Sequence, residues 1–508
     1  MILLADCQQM KAVDDYSIHT LKIPSLVLME RAALAVAEHI GRQQPANARI
    51  LAVCGSGNNG GDGLAIARIL HTKGFLVDWY MAGNLEKATQ ETRLQMEIIE
   101  NMAKAGGLSQ CRDLQAFSDY DVIVDGLFGI GLSRAVEGSY AQVIEAVNSS
   151  GAFVYAVDIP SGISTDTGAV LGCAVKADVT VTFGCHKLGL ALYPGAEFGG
   201  RVYVEDIGFP QISVENAHID VMALEKSDIS NKLPRRRAYS NKGSYGRTLV
   251  IAGSEGMPGA CCLCAQAAYR TGCGLVRVLT AKENREILMN HVPEAVMTVY
   301  ESFGPTLALL QECLDWADSV VIGPGLTTGE HARTMLEYTV RHCSVPLVID
   351  ADGLNLLAQD AAGFVTDCQS FLEGLSCPVI VTPHLGEMAR LTGRSISQIA
   401  GDLCKTCQTF AQENPGLVCV LKDARTVISD GVSTYINLSG NSGMATGGSG
   451  DVLSGILGGL LAMGMPALDG AALGCLIHGC AGDRAAADKG PYTMLASDII
   501  QYMTEILC

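Results

Sequence analysis

Asn441-Ser-Gly-Met-Ala-Thr-Gly-Gly-Ser-Gly-Asp451 runs directly into Val452-Leu-Ser-Gly-Ile-Leu-Gly-Gly-Leu-Leu-Ala-Met-Gly464. Gly443, Gly447, Gly448 and Gly450 crowd the entry to an apolar run at helical spacing. Such an entry leaves backbone N–H groups bare at a helix N-terminus, where the macrodipole favours an anion. Asp451 stands where this helix starts, and two readings of it remain open. It is either an N-cap that satisfies backbone donors, or a carboxylate at the lip of a phosphate site. The second position suits a negative charge only if the group accepts a proton from a nucleophile. A cap needs one permissive residue, whereas this loop has several, as required where backbone must approach a ligand closely. That favours a phosphate anion hole with a general base beside it.

A phosphate loop feeding a buried helix belongs to α/β architecture. At 508 residues the chain exceeds one core and implies two or three domains. Apolar residues make up 48% and glycines number 57, which suits buried parallel strands. A formal charge of −18 argues against a nucleic-acid partner. The opening MILLADCQQMKAVDD meets acidic residues too early for a secretory signal, so a cytoplasmic location is expected. Val452 to Leu468 lacks charge at nearly the length of a membrane span. Its glycines and Pro466 fit two buried helices joined by a turn better. The 19 cysteines are scattered without a paired framework, as expected of reduced thiols. Cys404-Lys-Thr-Cys407 has metal or redox spacing, but no second pair accompanies it and it lies in a polar helical pattern.

In the N-terminal half, the residues up to about Arg42 read as two helices, with Pro24 starting the second. Arg49 to Gly55 reads as a strand, followed by Gly55-Ser-Gly-Asn-Asn-Gly-Gly-Asp-Gly63 and a helix through His71. The loop contains the G-x-G-x-x-G spacing of a dinucleotide site. The next strand, Phe75 to Tyr80, ends in Met-Ala-Gly-Asn and lacks the acidic residue that would hold a ribose, so an ordinary dehydrogenase is disfavoured. Three further strands each end in a polar cluster: Asp121–Asp125 before Gly126-Leu-Phe-Gly-Ile-Gly-Leu-Ser-Arg134, Phe153–Asp158 before Ile-Pro-Ser161-Gly, and Val179–Phe183 before Gly-Cys-His-Lys187. Strand ends of an open parallel sheet share one edge, so Asn59, Asp125, Asp158 and Ser161 converge there. Oxygen ligands of this kind suit a hard cation. Asp158 before Ile-Pro also reads as a plain turn residue.

GSGNNGGDG, DGLFGIGLSR and VDIPSG resemble the epimerase half of the NAD(P)H-hydrate repair enzymes, and the later half resembles the dehydratase of the same family. The resemblance spans essentially the whole chain and implies the bifunctional fusion. It implies an epimerase domain over 1–211, a linker over 212–233 and a dehydratase domain over 234–508. The expected folds are a Rossmann-like parallel sheet and then a ribokinase-like α/β domain. By resemblance, Asn58, Asn59, Gly60, Gly61 and Asp62 bind the hydrated dinucleotide, together with Gly129, Ile130, Gly131, Leu132, Ser133, Arg134, Ala135 and Tyr140. Asn59, Asp125 and Ser161 would hold K+, and Asp158 would act at the reacting carbon.

The linker is placed between Pro210 and Leu233, where no strong pattern appears. Pro234-Arg-Arg-Arg237 with Lys242 and Arg247 forms a basic patch that reads as a solvated face or as an attractor for nucleotide. Arg247–Ala252 then reads as a strand and Cys261–Arg270 as a helix. Strands are expected at Leu275–Leu279, Ser319–Ile322, Pro346–Ile349, Val379–Val381 and Leu417–Leu421, alternating with helices as in a parallel sheet. His384, in a Pro- and Gly-containing loop, reads equally as a structural or a binding residue. The resemblance implies that Ala260, Gly325, His384 and Asp451 contact the hydrate. It also implies that Lys422, Asp423, Ala424, Arg425 and Thr426, with Gly447, Gly448, Ser449 and Gly450, contact the nucleotide.

The implied substrates are hydrated NADH and NADPH (NADHX and NADPHX), carrying a hydroxyl beside the ring nitrogen. ADP, with Mg2+, would phosphorylate that hydroxyl, leaving AMP, and the ring nitrogen would then help expel phosphate. Because water adds in two configurations, R and S, an attached epimerase makes the repair complete. No membrane or nucleic-acid partner is expected, and a homo-oligomer is. Two rival readings are a small-molecule kinase in the C-terminal half and a non-catalytic binding module in the N-terminal half.

Overall fold

The computed structural model describes residues 1–301, 304–360 and 377–507. The chain divides into two compact units: Ile2–Val221, and Met222–Cys508 together with Met1.

The first unit opens with a short strand, β1 (Ile2–Ala5), before helix Cys7–Asp15 and helix Ser25–Gln43. The expectation of two helices misses this strand, which pairs with β8 (His186–Lys187). Its main sheet contains β2 (Arg49–Cys54), β3 (Leu76–Met81), β4 (Ser109–Gln110), β5 (Val122–Gly126), β6 (Phe153–Val157), β7 (Val179–Phe183) and β9 (Arg201–Glu205). The order is β4-β3-β2-β5-β6-β7-β9, all parallel. Strand order reverses between β2 and β5, and loops leaving such neighbours part to form a crevice. Val122–Gly126 is buried along its whole length, as expected for a strand covered on both faces. Helix Asn58–Thr72 leaves the first loop so tightly that a Cβ on Gly60 would lie 1.8 Å from the Gly55 carbonyl oxygen. Only glycine fits there.

The stretch expected to be a linker is folded. It contains helix Gln211–Asn216, strand β10 (Val221–Ala223) and helix Lys226–Lys232.

In the second unit the strands are β11 (Arg247–Ile251), β12 (Leu275–Ala281), β13 (Val296–Tyr300), β14 (Ser319–Ile322), β15 (Leu347–Ile349), β16 (Val379–Val381), β17 (Leu417–Leu421), β18 (Thr426–Ser429) and β19 (Thr434–Asn437). They follow the order β13-β12-β11-β14-β15-β16-β17-β18-β19, parallel as far as β17 and antiparallel beyond it. Here the order reverses between β11 and β14. The expected pair of apolar helices is present as Ser449–Ala462 and Ala467–Lys489. Small residues let the first pack closely: a Cβ on Gly455 would lie 2.1 Å from the Cys264 carbonyl oxygen of helix Pro258–Thr271. Ser319 Oγ donates to the Gly458 carbonyl at 2.8 Å, tying the helix to β14. Among the described residues no helix is long and apolar enough to cross a membrane.

Candidate active sites

Loops after β2, β5, β6 and β7 enclose a cavity of about 800 Å³ in the first unit. Asn58, Asn59, Asp62, Gly129, Ile130, Gly131, Leu132, Ser133, Arg134, Tyr140 and Asp158 line it. Gly60, Gly61 and Ala135 do not. The structure gives both glycines a packing role, because a Cβ on Gly61 would lie 2.7 Å from Met29 Cε. Tyr140 lies in the first turn of helix Ser139–Ser149, with its ring 5.0 Å from that of Phe128.

Beside this wall, Asn59 Nδ2 donates to the Phe128 carbonyl at 3.0 Å. Ser161 Oγ donates to Asp125 Oδ1 at 2.6 Å, Ser161 N–H donates to Asp125 Oδ2 at 2.8 Å, and Phe128 N–H donates to Ser161 Oγ at 2.8 Å. Asn59, Asp125 and Ser161 therefore meet around the Phe128 peptide. Burial pushes the Asp125 carboxyl up to about 6, against the opposing hydrogen bonds from Ser161 and Leu127. Asp158 has φ 67°, a strained value for a non-glycine residue, and its Oδ1 lies 2.8 Å from Lys187 Nζ. Asp14 and Lys187 also line the cavity, and sequence reasoning assigned neither a role.

In the second unit, the loops after β11 and β14 meet at the reversal of strand order. A Cβ on Gly325 (φ 62°) would approach the Ala260 Cβ to 2.9 Å. Along the same sheet edge, Asp350 follows β15, His384 follows β16 and Lys422 follows β17. Lys422 Nζ donates to Asp350 Oδ1 at 2.7 Å, and Ser454 Oγ donates to Asp350 Oδ2 at 2.6 Å. Burial alone would raise the Asp350 carboxyl, but the Lys422 ammonium and these bonds hold it below the usual range. A Cβ on Gly450 would meet Lys422 Nζ at 3.5 Å and Asp350 Oδ2 at 3.7 Å, so the glycine loop abuts this ion pair.

Helix Ser449–Ala462 has Gly448 as N-cap, at φ 92°, with no side-chain cap bond. Asp451 lies in its first turn and is not the N-cap, which removes the capping reading. The amides of Gly447, Gly448, Gly450 and Asp451 donate to nothing among the described residues. Burial, then the Asp350 charge, push the Asp451 carboxyl up to about 7, partly offset by Lys422. A half-buried carboxyl pushed up toward neutrality beside free amides is suited to general-base work on phosphoryl transfer.

His384 caps a helix with one ring nitrogen and still exposes its side chain. Its Nδ1 accepts from Gly386 N–H at 2.9 Å and Glu387 N–H at 3.3 Å, capping helix Leu385–Thr392, while its side chain remains 54% exposed. Burial and then the Lys422 and Arg390 charges lower its pKa, favouring the neutral ring. Arg425 Nη1 donates to the Leu438 carbonyl at 2.6 Å, while Asp423 and Ala424 are exposed in the turn between β17 and β18. Sequence reasoning missed His478, whose Nε2 is 3.3 Å from Ser449 Oγ behind the glycine loop. Cys404 and Cys407 are buried in helix Leu403–Glu413, with the Cys407 thiol against the Cys419 and Val427 carbonyls. Among the described residues no group of three or more His, Cys, Asp or Glu side chains is arranged to hold a metal ion.

Two α/β units, each with a polar site where strand order reverses, define a bifunctional enzyme that handles a nucleotide-like substrate in one site and phosphate chemistry in the other. Comparison with known proteins agrees. Residues 248–505 match the family model for NAD(P)H-hydrate dehydratase, and residues 25–189 that for the YjeF-related protein N-terminus. The bifunctional NAD(P)H-hydrate repair enzyme of Moorella thermoacetica is 39% identical, with 99% of this chain and 96% of that protein covered. Its counterpart from Escherichia coli is 37% identical, with 94% and 89% covered. A crystal structure of a protein of unassigned function from Streptococcus mutans aligns with 56% of this chain and 100% of its own at 28% identity and TM-score 0.50. The chain belongs to the bifunctional NAD(P)H-hydrate repair enzymes, and has an epimerase domain followed by a dehydratase domain.

Proposed function

We propose that the two activities divide between the two sites described, with Asp158 acting in epimerisation of NADHX and NADPHX and Asp451 in dehydration of the S form. The observation that carries this reading is the Asp451 carboxyl, half-buried and unbonded beside four free loop amides. Asp451 takes the proton of the substrate hydroxyl as that oxygen attacks the terminal phosphoryl group. The free amides of Gly447, Gly448 and Gly450 receive the phosphoryl oxygens, and Lys422 supplies a positive charge beside them. Ala260, Gly325 and His384 bind the hydrate, and Lys422 to Thr426 bind the nucleotide. Magnesium brought with the nucleotide would neutralise phosphate charge. ADP is the phosphoryl donor, leaving AMP. Initial rates with purified ADP and ATP test this: ADP is expected to be preferred, and a clear preference for ATP overturns it.

In the epimerase unit the donor set fits potassium: one carboxylate, Asp125, among neutral oxygens from Asn59, Ser161 and the Phe128 carbonyl. A bound cation would fix the loop after β5 and supply positive charge near the substrate. Asn58, Asn59, Asp62, Gly129 to Arg134 and Tyr140 bind the hydrated dinucleotide along the cavity wall. Epimerisation is expected to rise and saturate as KCl replaces choline chloride at constant ionic strength, and Asp125→Ala to remove that response. A rate indifferent to potassium in the unaltered protein contradicts the assignment. The enzyme is proposed to work in the cytoplasm as a homo-oligomer, with domains over 1–211 and 234–508.

A further inference from the structure

Lys187 lies at the back of the epimerase cavity with its side chain 1% exposed. Its Nζ is 2.8 Å from Asp158 Oδ1 and donates to Thr182 Oγ1 at 2.8 Å, the Phe183 carbonyl at 2.9 Å and the Cys185 carbonyl at 3.1 Å. Four acceptors saturate three N–H donors, leaving this amine no proton for the substrate. Thr182 passes the contact on: its hydroxyl accepts from Lys187 and donates to Asp158 Oδ1 at 2.8 Å. Phe183 N–H reaches the same oxygen at 3.3 Å. Among the described residues every hydrogen bond to the Asp158 carboxylate falls on Oδ1, which leaves Oδ2 for the cavity.

Asp14 and Asp62 line the same cavity, and neither makes a hydrogen bond or ion pair among the described residues. Three carboxyl groups around one ammonium do not all ionise in a partly buried site, because each unpaired charge meets both desolvation and like-charge repulsion. Lys187 is committed to Asp158, so the other two are the carboxyls that hold a proton more readily than an ordinary carboxylate. Burial and the Asp158 charge accordingly push Asp14 up to about 6 and Asp62 well above the ordinary carboxylate range. Lys11, Glu91, Arg134 and Tyr140 are the other titratable groups on the wall, and none is within ion-pair distance of Asp158.

We propose that Lys187 is the positioning residue of the epimerase site: with Thr182 it anchors Asp158 through Oδ1 and turns Oδ2 toward the substrate, leaving Asp14 and Asp62 to carry the proton that inversion requires. This rests on the assignment of Asp158 to the reacting carbon. In the step this arrangement supports, an unpaired carboxyl protonates the ring hydroxyl. The C–O bond breaks with its electron pair on oxygen, and water leaves as the ring nitrogen lone pair delocalises onto the carbon. Water then returns to the opposite face and gives a proton to Asp158. Transfer of that proton back to the donor carboxyl restores the site, so protons balance and no oxidant or reductant is involved.

The test is the pH dependence of epimerase kcat/KM in Thr182→Val, Lys187→Met and Asp158→Asn, each normalised to the dehydratase rate of the same chain on its preferred epimer. Lys187→Met withdraws the cation paired with Asp158 Oδ1, and Thr182→Val withdraws a hydroxyl donor to the same oxygen; an opposite charge and a donor each favour the ionised form of a carboxyl. The acid limb is therefore expected to move up by about one pH unit or more, with a loss of about tenfold in kcat at neutral pH and partial recovery at higher pH. Asp158→Asn is expected to lose epimerisation at every pH. If Thr182→Val and Lys187→Met merely scale the profile with its limbs unmoved, Lys187 is structural and the inference fails, although Asp158 stands. If Asp158→Asn stays active, the assignment of Asp158 itself is wrong. Should Lys187→Met not fold, the nearly isosteric Thr182→Val decides.

Discussion

Asp451→Asn is expected to lower the dehydratase rate by about 10²-fold or more while leaving the fold intact, because removing a positioned general base typically costs that much. The substitution is nearly isosteric. Asp451 makes no cap bond for it to break, since Gly448 is the N-cap of helix Ser449–Ala462. The pH dependence follows with a definite sign. Burial and the Asp350 charge push the Asp451 carboxyl up to about 7, and the base works only when ionised. The dehydratase rate of the unaltered enzyme should therefore rise with pH through about 7 and level above it. Negatively charged nucleotide in the site shifts that limb further upward. Steady-state rates across pH, with circular dichroism to check folding, test both points. An Asn variant retaining more than about a tenth of the rate contradicts the base role.

Lys422→Met is expected to have the largest effect on stability. Asp350 is 1% exposed, and its Oδ1 lies 2.7 Å from Lys422 Nζ. Removing one partner of a buried pair leaves an uncompensated charge and typically costs about 3–5 kcal/mol. The pair's contribution is present above the unfolded carboxylate pKa and lost as pH falls through the depressed folded value of Asp350. The Met variant should therefore lose its stability deficit in acid, where the unaltered protein has lost the same contribution. Adding Asp350→Asn to Lys422→Met should recover about 1–3 kcal/mol, since no buried charge then remains, without restoring activity. Urea unfolding of both variants measures this. Equal stability of Lys422→Met and the parent would show that the pair is not holding the site edge.

Most strand-and-loop order was legible because buried parallel strands are continuous apolar runs that end in glycine or polar clusters. Val179–Phe183, Ser319–Ile322, Val379–Val381 and Leu417–Leu421 fall where the sequence places them. Elements without that signature were missed. Ile2–Ala5 is too short to separate from a helix by periodicity, and Val296–Tyr300 is a half-exposed edge strand with no continuous buried run. The antiparallel pair Thr426–Ser429 and Thr434–Asn437 has only two apolar residues per strand, each flanked by polar ones, so neither strand forms a continuous apolar run.

The sites show the same division. Asn59, Asp125 and Ser161 follow successive apolar strands, and their meeting around Phe128 follows from one sheet edge. Asp451 was visible from its glycines, but its place in the first turn depends on Gly448 adopting the left-handed conformation. Lys187, Asp350 and His478 act through partners distant in sequence, such as Asp350 and Lys422, which lie 72 residues apart. Residue spacing carries no signal of such pairing. Gly60 and Gly61 illustrate the converse: they belong to a binding motif, yet their Cβ positions are occupied by backbone and Met29.

The most direct measurement supplies the protein with a mixture of both hydrate epimers, ADP and magnesium, and follows dihydronicotinamide absorbance together with inorganic phosphate. Faster than the uncatalysed exchange of epimers allows, absorbance should return for the whole of the hydrate supplied, with one phosphate released per cofactor restored. Recovery that halts when one epimer is exhausted, or a stable phosphorylated product in place of free phosphate, would contradict the account.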